Sequence, residues 1–184
     1  MKRNVTHILL AVGLILMAAT TRIINAEMHL YNLAPVAALG LFSGAVIKDK
    51  RYAFVFALMG QFIADLYFQL FTNTPGFYGV GQLFTYGGLI AATLIGMQLK
   101  KASPVNIAAY SVAGSTAFFA LSNLGVFLGG MYGYDVAGFT TTYVAAIPFF
   151  KNTLLGDLIG STVLFGLYFS LQRAFTGKLQ ESAA

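Results

Sequence analysis

Six apolar runs, most of them long enough to cross a bilayer, leave this 184-residue chain little freedom in what it can fold into. A spanning helix needs about 20 apolar residues, and shorter ones are tolerated inside a bundle. The runs lie near residues 5–24, 33–47, 52–71, 80–99, 105–129 and 151–174. They predict an all-α integral membrane protein, a six-transmembrane-helix bundle forming a single transmembrane domain over residues 1–184. Lys2 and Arg3 ahead of the first run also fit a signal peptide, but no Ala-x-Ala-like cleavage site follows and the first helix is expected to be retained. The connections at 48–51 and 100–104 are tight, and Pro104 suits a helix start. The connection at 130–150 is the longest. Gly129, Gly130, Gly133 and Asp135 make its beginning too polar and glycine-rich to span, so an outer lid loop or half-helix is expected there.

Charge sets the orientation. Only 9% of residues are charged against 58% hydrophobic, and the mean hydropathy is +0.75. With the N-terminus inside, nine of the eleven basic residues fall on the cytoplasmic side: Lys2, Arg3, Lys48, Lys50, Arg51, Lys100, Lys101, Arg173 and Lys178. Arg22 and Lys151 fall outside. This bias places both termini in the cytoplasm. The net charge of +5 therefore reads as topology, not as a nucleic-acid footprint. The absence of cysteine excludes disulfides, thiolate metal sites and a cysteine nucleophile. His7 and His29 stand far apart, which argues against a histidine metal centre or a Ser/His triad. No nucleophile with a base partner appears at workable spacing, so no catalytic residue, cofactor or metal is expected.

Residues 31–51 read as the centre of the bundle. Asn32 and Pro35 open the segment, with Asn32 a candidate N-cap. Ala34 and Ala38, then Gly40 and Gly44, repeat at spacings of four, which lets helix backbones approach closely in lipid. Further small residues line the other helices: Gly88, Ala92 and Gly96; Ala109, Ala113 and Ala117; Gly156 and Gly160. Tight packing within the chain is the default reading, and docking of a partner helix the alternative.

Polar side chains inside spans are costly and need a reason. Asp65 lies six residues below the outer end of helix 3, with Gln61 one turn deeper. Tyr86 lies six below the outer start of helix 4, with Gln82 one turn above. Asn123 lies six below the end of helix 5, beside Ser122, and Asp157 six below a helix 6 starting at 151. Polar groups on four helices would share one level, about 9 Å under the outer surface at 1.5 Å per residue. The inner halves are nearly all apolar, apart from hydroxyls such as Ser111, Ser115 and Thr116. A chamber open outside and closed below is the expected consequence, and a through-channel is not. The candidate contacts are Gln82, Tyr86, Asn123, Lys151, Asn152 and Asp157, with Asp65 and Arg22 nearby. The carboxylates have a second reading, as structural partners of Arg22 or Lys151. Tyr31, Phe77, Tyr78, Tyr132, Tyr134, Tyr143, Phe149 and Phe150 crowd the outer side, either as an interfacial belt or as the walls of a small-molecule site.

Asn32-Leu-Ala-Pro35-Val-Ala-Ala-Leu-Gly-Leu-Phe-Ser-Gly44, the basic turn at 48–51 and Ala64-Asp65-Leu66 resemble an uncharacterised group of six-helix bacterial membrane proteins. That group in turn resembles the substrate-binding S components of energy-coupling factor (ECF) vitamin transporters. The resemblance covers about Asn32 to Arg173. It implies residence in the bacterial inner membrane, an outward-facing pocket for a small vitamin-like solute, and assembly with an ECF-type coupling subunit and its ATPases. Helix 1 departs from that pattern, offering Ala11, Gly13, Ala18 and Ala19 in place of an Ala-x-x-x-Ala face, which leaves a solitary transporter as an alternative. Solitary cobalamin carriers use a pocket cysteine that this chain lacks; His29 is the remaining candidate metal ligand. A non-transporting accessory subunit, packed against a partner membrane protein, is the competing function class.

Overall fold

The computed structural model describes residues 2–28 and 33–181, and over these the chain forms six helices and no strand. They are α1 (Lys2–Glu27), α2 (Val36–Val46), α3 (Lys50–Phe71), α4 (Val80–Met97), α5 (Pro104–Leu128) and α6 (Val136–Glu181). The expectations for His29, Tyr31 and Asn32 lie outside the described residues, as do the side chains of Lys2, Arg3, His7, Ala11, Ala18, Ala19 and Lys178. Four helices, α3, α4, α5 and the Val136–Ala174 part of α6, are long and apolar enough to cross a membrane. At 11 residues α2 is a shorter apolar helix, about 16 Å long at 1.5 Å per residue.

This short helix is the hub. It packs against each of the other five, and every residue from Ala37 to Gly44 is buried. Close approach explains the small residues: a Cβ on Gly44 would collide with the Thr93 carbonyl, and one on Gly96 with the Leu41 carbonyl. Gly156 and Gly160 of α6 likewise lie against Leu33 and Pro35. Phe42 fills the space below, with its ring edge-on to Phe165 at 5.3 Å and to Tyr168 at 5.6 Å. Ile15, Leu41, Leu99 and Leu164 complete this apolar cluster.

The helix ends follow local chemistry. Asp49 accepts from the Arg51 N–H at 3.0 Å and caps α3, and Ser103 accepts from the Asn106 N–H at 3.3 Å ahead of Pro104 at the start of α5. Lys50 Nζ donates back to the Gly44 and Ile47 carbonyls at 2.9 and 3.3 Å, closing the end of α2.

One expectation is corrected. The segment 136–150 is not a lid loop; only residues 129–135 turn, and α6 begins at Val136 and runs on for 46 residues. Asp135 drives the early start, its carboxylate accepting from the Gly138 N–H at 2.7 Å and its carbonyl from the Phe139 N–H at 2.9 Å. Thr140 and Thr142 donate to carbonyls one turn back, so the threonine run is satisfied as helix. Pro148 sits inside α6 and has no N–H to give to the Val144 carbonyl. Contacts to α5 hold the extension: the Tyr143 hydroxyl donates to the Ala120 carbonyl at 2.8 Å, and Phe139 lies edge-on to Phe127 at 5.3 Å.

Candidate functional site

Asp65, fully buried, gathers three helices. Arg22 Nη1 of α1 donates to Oδ1 at 2.6 Å, and Gln61 Nε2, one turn before Asp65, donates to the same oxygen at 3.3 Å. From α4, Gln82 Nε2 and the Tyr86 hydroxyl, one turn apart, donate to Oδ2 at 3.1 and 2.9 Å. The Arg22 guanidinium also lies 5.1 Å from the centre of the Phe68 ring, within cation–π range. The loop after α3 is tied to the same point. Gln69 Oε1 accepts from the Gly76 and Phe77 N–H groups at 3.2 and 3.3 Å, and Gly76 packs so tightly on the Asp65 carbonyl that no Cβ fits. Four donors therefore satisfy one carboxylate, which keeps the cost of burying it low.

Asp157 is a second, separate centre. Its Oδ1 accepts the Ala38 N–H at 2.9 Å and its Oδ2 accepts the Ser115 hydroxyl at 2.7 Å. Pro35, at the N-cap of α2, makes no side-chain cap, so Asp157 supplies one from another helix. Ser161 donates to Ser111 Oγ at 3.1 Å just beside it. The single level expected from sequence is thus two clusters. Asp65 is bonded among α1, α3 and α4, and Asp157 to α2 and α5; α6 begins at Val136, so Asp157 lies 21 residues into its helix and not six.

Above α2, where its short length leaves the bundle axis unfilled, lies a cavity of about 620 Å³. Ala34 and Val36 reach it from the start of α2, and Arg22 and Asn25 from α1. Gln61 and Phe68 line it from α3, and Gly81 and Thr85 from α4. The far wall is aromatic, made by Phe118, Phe119, Phe149 and Phe150, with Ser122, Asn123 and Thr153 set among them. Phe119 and Phe150 stand 4.6 Å apart. Tyr78 closes one side from the loop before α4, and burial raises its hydroxyl above the usual phenol range. A concave apolar surface of this size with a few inward polar groups is the usual form of a small-molecule site.

The structure sorts the expected contacts. Arg22 and Asn123 line the cavity, and Gln82, Tyr86 and Asp65 stand behind its wall, bonded to one another. Asp157 lies beneath, on α2. Lys151 is exposed and away from the cavity, and its alternative pairing with Asp157 is not made; Asn152 is half-buried outside the wall. Tyr78, Phe149 and Phe150 from the aromatic group reach the site. Asn25, Phe118, Phe119, Ser122 and Thr153 were not candidate contacts. Helical spacing carries a signal for two of them: Asn25 follows Arg22 by three residues, and Phe119 precedes Asn123 by four. Among the described residues no cluster of three or more His, Asp or Glu is placed to hold a metal ion.

No curated protein and no solved structure matches the chain. A family model described as a family of unknown function matches residues 2–180, and the chain therefore belongs to the DUF6580 family.

Proposed function

We propose that this chain is an integral membrane protein of the bacterial inner membrane that captures a small vitamin-like solute from the outer face, in the manner of an S component. The cavity carries the reading: about 620 Å³, aromatic on one side, seated on the buried start of a half-length helix and closed below by the Phe42, Phe165 and Tyr168 cluster. The basic residues gathered at the opposite end support the orientation, with the cavity outward and both termini cytoplasmic. An ECF-type coupling subunit with ATPases is the partner this reading calls for; the lipid bilayer is its solvent. No enzyme chemistry is proposed.

Native mass spectrometry of the purified chain tests it: a small organic molecule should co-purify and leave when Asn123→Leu and Phe119→Ala are combined. A uniformly ligand-free protein, with no thermal shift across a vitamin panel, would sink the reading.

One observation favours a second reading, an accessory subunit packed on a partner membrane protein. Asp65 and Asp157 are both satisfied by groups of this chain, as internal glue would be. Under that reading the cavity variants leave a co-purifying partner protein in place and no solute is found at any stage.

A further inference from the structure

We infer that the cytoplasmic end of the bundle carries a seat for the phosphate of an anionic phospholipid, between the turn after α2 and the turn after α4. The seat is independent of solute capture and depends only on the orientation, with this end inward.

The two turns adjoin because α2 and α4 pack backbone to backbone. A Cβ on Gly44 would lie 3.0 Å from the Met97 nitrogen, and Ile47 and Leu99, at the ends of the two helices, share one buried cluster. Lys48 and Arg51 therefore stand at the same end of the bundle as Lys100 and Lys101, and all four are exposed. None of them forms a salt bridge with a described carboxylate. Asp49, the acidic residue of the first turn, has its carboxylate on the Arg51 N–H at 3.0 Å. Both turns are held in place. Lys50 Nζ donates to the Gly44 and Ile47 carbonyls at 2.9 and 3.3 Å, and the Ser103 N–H and Asn106 Nδ2 donate to the Lys101 carbonyl at 3.0 and 2.9 Å. Cations carried on fixed backbone lose little freedom in gathering round one phosphate.

Apolar surface beside the cations favours a lipid over an acidic protein. Tyr52, Val55 and Met59 run along one face of α3 from Arg51, at spacings of three and four, and are 56%, 45% and 50% exposed. An acyl chain fits along that face while its phosphate meets the cations; a protein in the cytosol reaches the cations alone. Topology asks for basic residues on the inner side and accounts for their sign and side. It does not account for four unpaired ones round two joined turns, beside a strip that faces lipid.

Lipid-selective quenching tests the seat. The chain has no tryptophan, so Tyr52→Trp installs a single reporter beside the cations. Leu70→Trp installs one at the far end of the same helix, at a position 63% exposed. Each full-length variant is reconstituted in phosphatidylcholine vesicles containing rising fractions of brominated phosphatidylglycerol or, in a parallel series, brominated phosphatidylcholine. Quenching at Tyr52→Trp should show phosphatidylglycerol preferred at least about five-fold, the scale of one basic contact, and quenching at Leu70→Trp should show the two lipids within about two-fold. Lys48→Gln with Arg51→Gln, or Lys100→Gln with Lys101→Gln, should each bring the preference at Tyr52→Trp within about two-fold. Salt at about 0.5 M should weaken it with no substitution at all, which keeps the test open should a glutamine pair fail to fold. Equal preference at the two reporters, or a preference that survives both glutamine pairs and salt, overturns the inference. Parity of the two lipids at Tyr52→Trp overturns it as well, and an acidic protein that co-purifies and leaves with the same substitutions would then be the partner of these cations.

Discussion

Asp157 and Lys50 close the two ends of the same helix: the carboxylate of one takes the Ala38 N–H at the start of α2, and the ammonium of the other reaches the Gly44 and Ile47 carbonyls at its end. A negative group at the N-terminus and a positive one at the C-terminus both complement the helix dipole. An isolated helix of 11 residues would be marginal even in favourable sequence. Here its termini are satisfied from outside it, so a half-length helix can stand at the centre of the bundle and leave room above.

Replacing Asp157 should therefore loosen α2. Asp157→Leu orphans the Ala38 N–H in a buried site, at a cost of about 1–3 kcal/mol, while the Ser115 hydroxyl keeps the Ser111 carbonyl 2.9 Å away. Asp157→Asn keeps an oxygen for the Ala38 N–H and should recover at least half of that loss. Reversible unfolding in mixed micelles measures both; equal stability of the two variants would mean that Asp157 does not cap α2.

Arg22 and Asp65 should behave as a coupled pair. Arg22→Leu alone leaves a buried carboxylate without its cation, and breaking such a pair from one side costs about 3–5 kcal/mol. Arg22 is 20% exposed, which puts the expected loss at the lower end. Adding Asp65→Leu should give back part of it, so a double-mutant cycle should return a coupling of at least about 1 kcal/mol. Additive losses would show that the two side chains act separately.

Glycine positions divide by what faces them. Gly96→Ala drives a methyl group into the Leu41 carbonyl and must separate α4 from α2, so its yield of folded protein should fall sharply. Gly87, one of the helical glycines with open space at the Cβ position, should accept alanine with a change within about 1 kcal/mol. Size-exclusion profiles and melting temperatures of the two variants make the comparison.

How much of this was legible in the sequence depends on whether the signal was periodic or depended on a neighbour. Apolar length placed five helices within a few residues, and the small residues from Ala34 to Gly44 marked the central one. The start of α6 was misplaced because glycines and threonines near 130–142 read as loop, whereas Asp135 caps a helix whose threonines bond to their own backbone. Asp157 was thereby counted six residues into its helix instead of 21. Its partner, a backbone N–H 119 positions earlier, leaves no trace in side-chain pattern. Asp65 with Gln61, Gln82 and Tyr86 was readable as a group, since each pair sits one turn apart, but not that these side chains face one another behind the cavity wall.

Ser43 offers a test of a different kind. It is fully buried on α2, and its hydroxyl has no hydrogen-bond partner among the described residues. Since an unpaired buried hydroxyl costs about 1–3 kcal/mol, Ser43→Ala should raise stability, in contrast to most substitutions in a packed helix. A lower melting temperature for Ser43→Ala would place a partner on this hydroxyl.

Floor and wall of the cavity should separate experimentally through two phenylalanines. Phe42 is fully buried in the cluster below α2, so Phe42→Ala removes a ring from close-packed surroundings, with an expected loss of about 3–5 kcal/mol. Phe149 lines the cavity yet is 49% exposed, so its truncation leaves little void and should cost less than about 1.5 kcal/mol. On the capture reading the order reverses for the solute: Phe149→Ala, still folded, should retain the co-purifying molecule at least about ten-fold less well, because a stacking wall has gone. Melting temperature and retained solute are measured on the same preparations. A Phe149→Ala protein that holds its solute as tightly as the parent would move the binding surface away from α6 and onto the Arg22 side of the cavity.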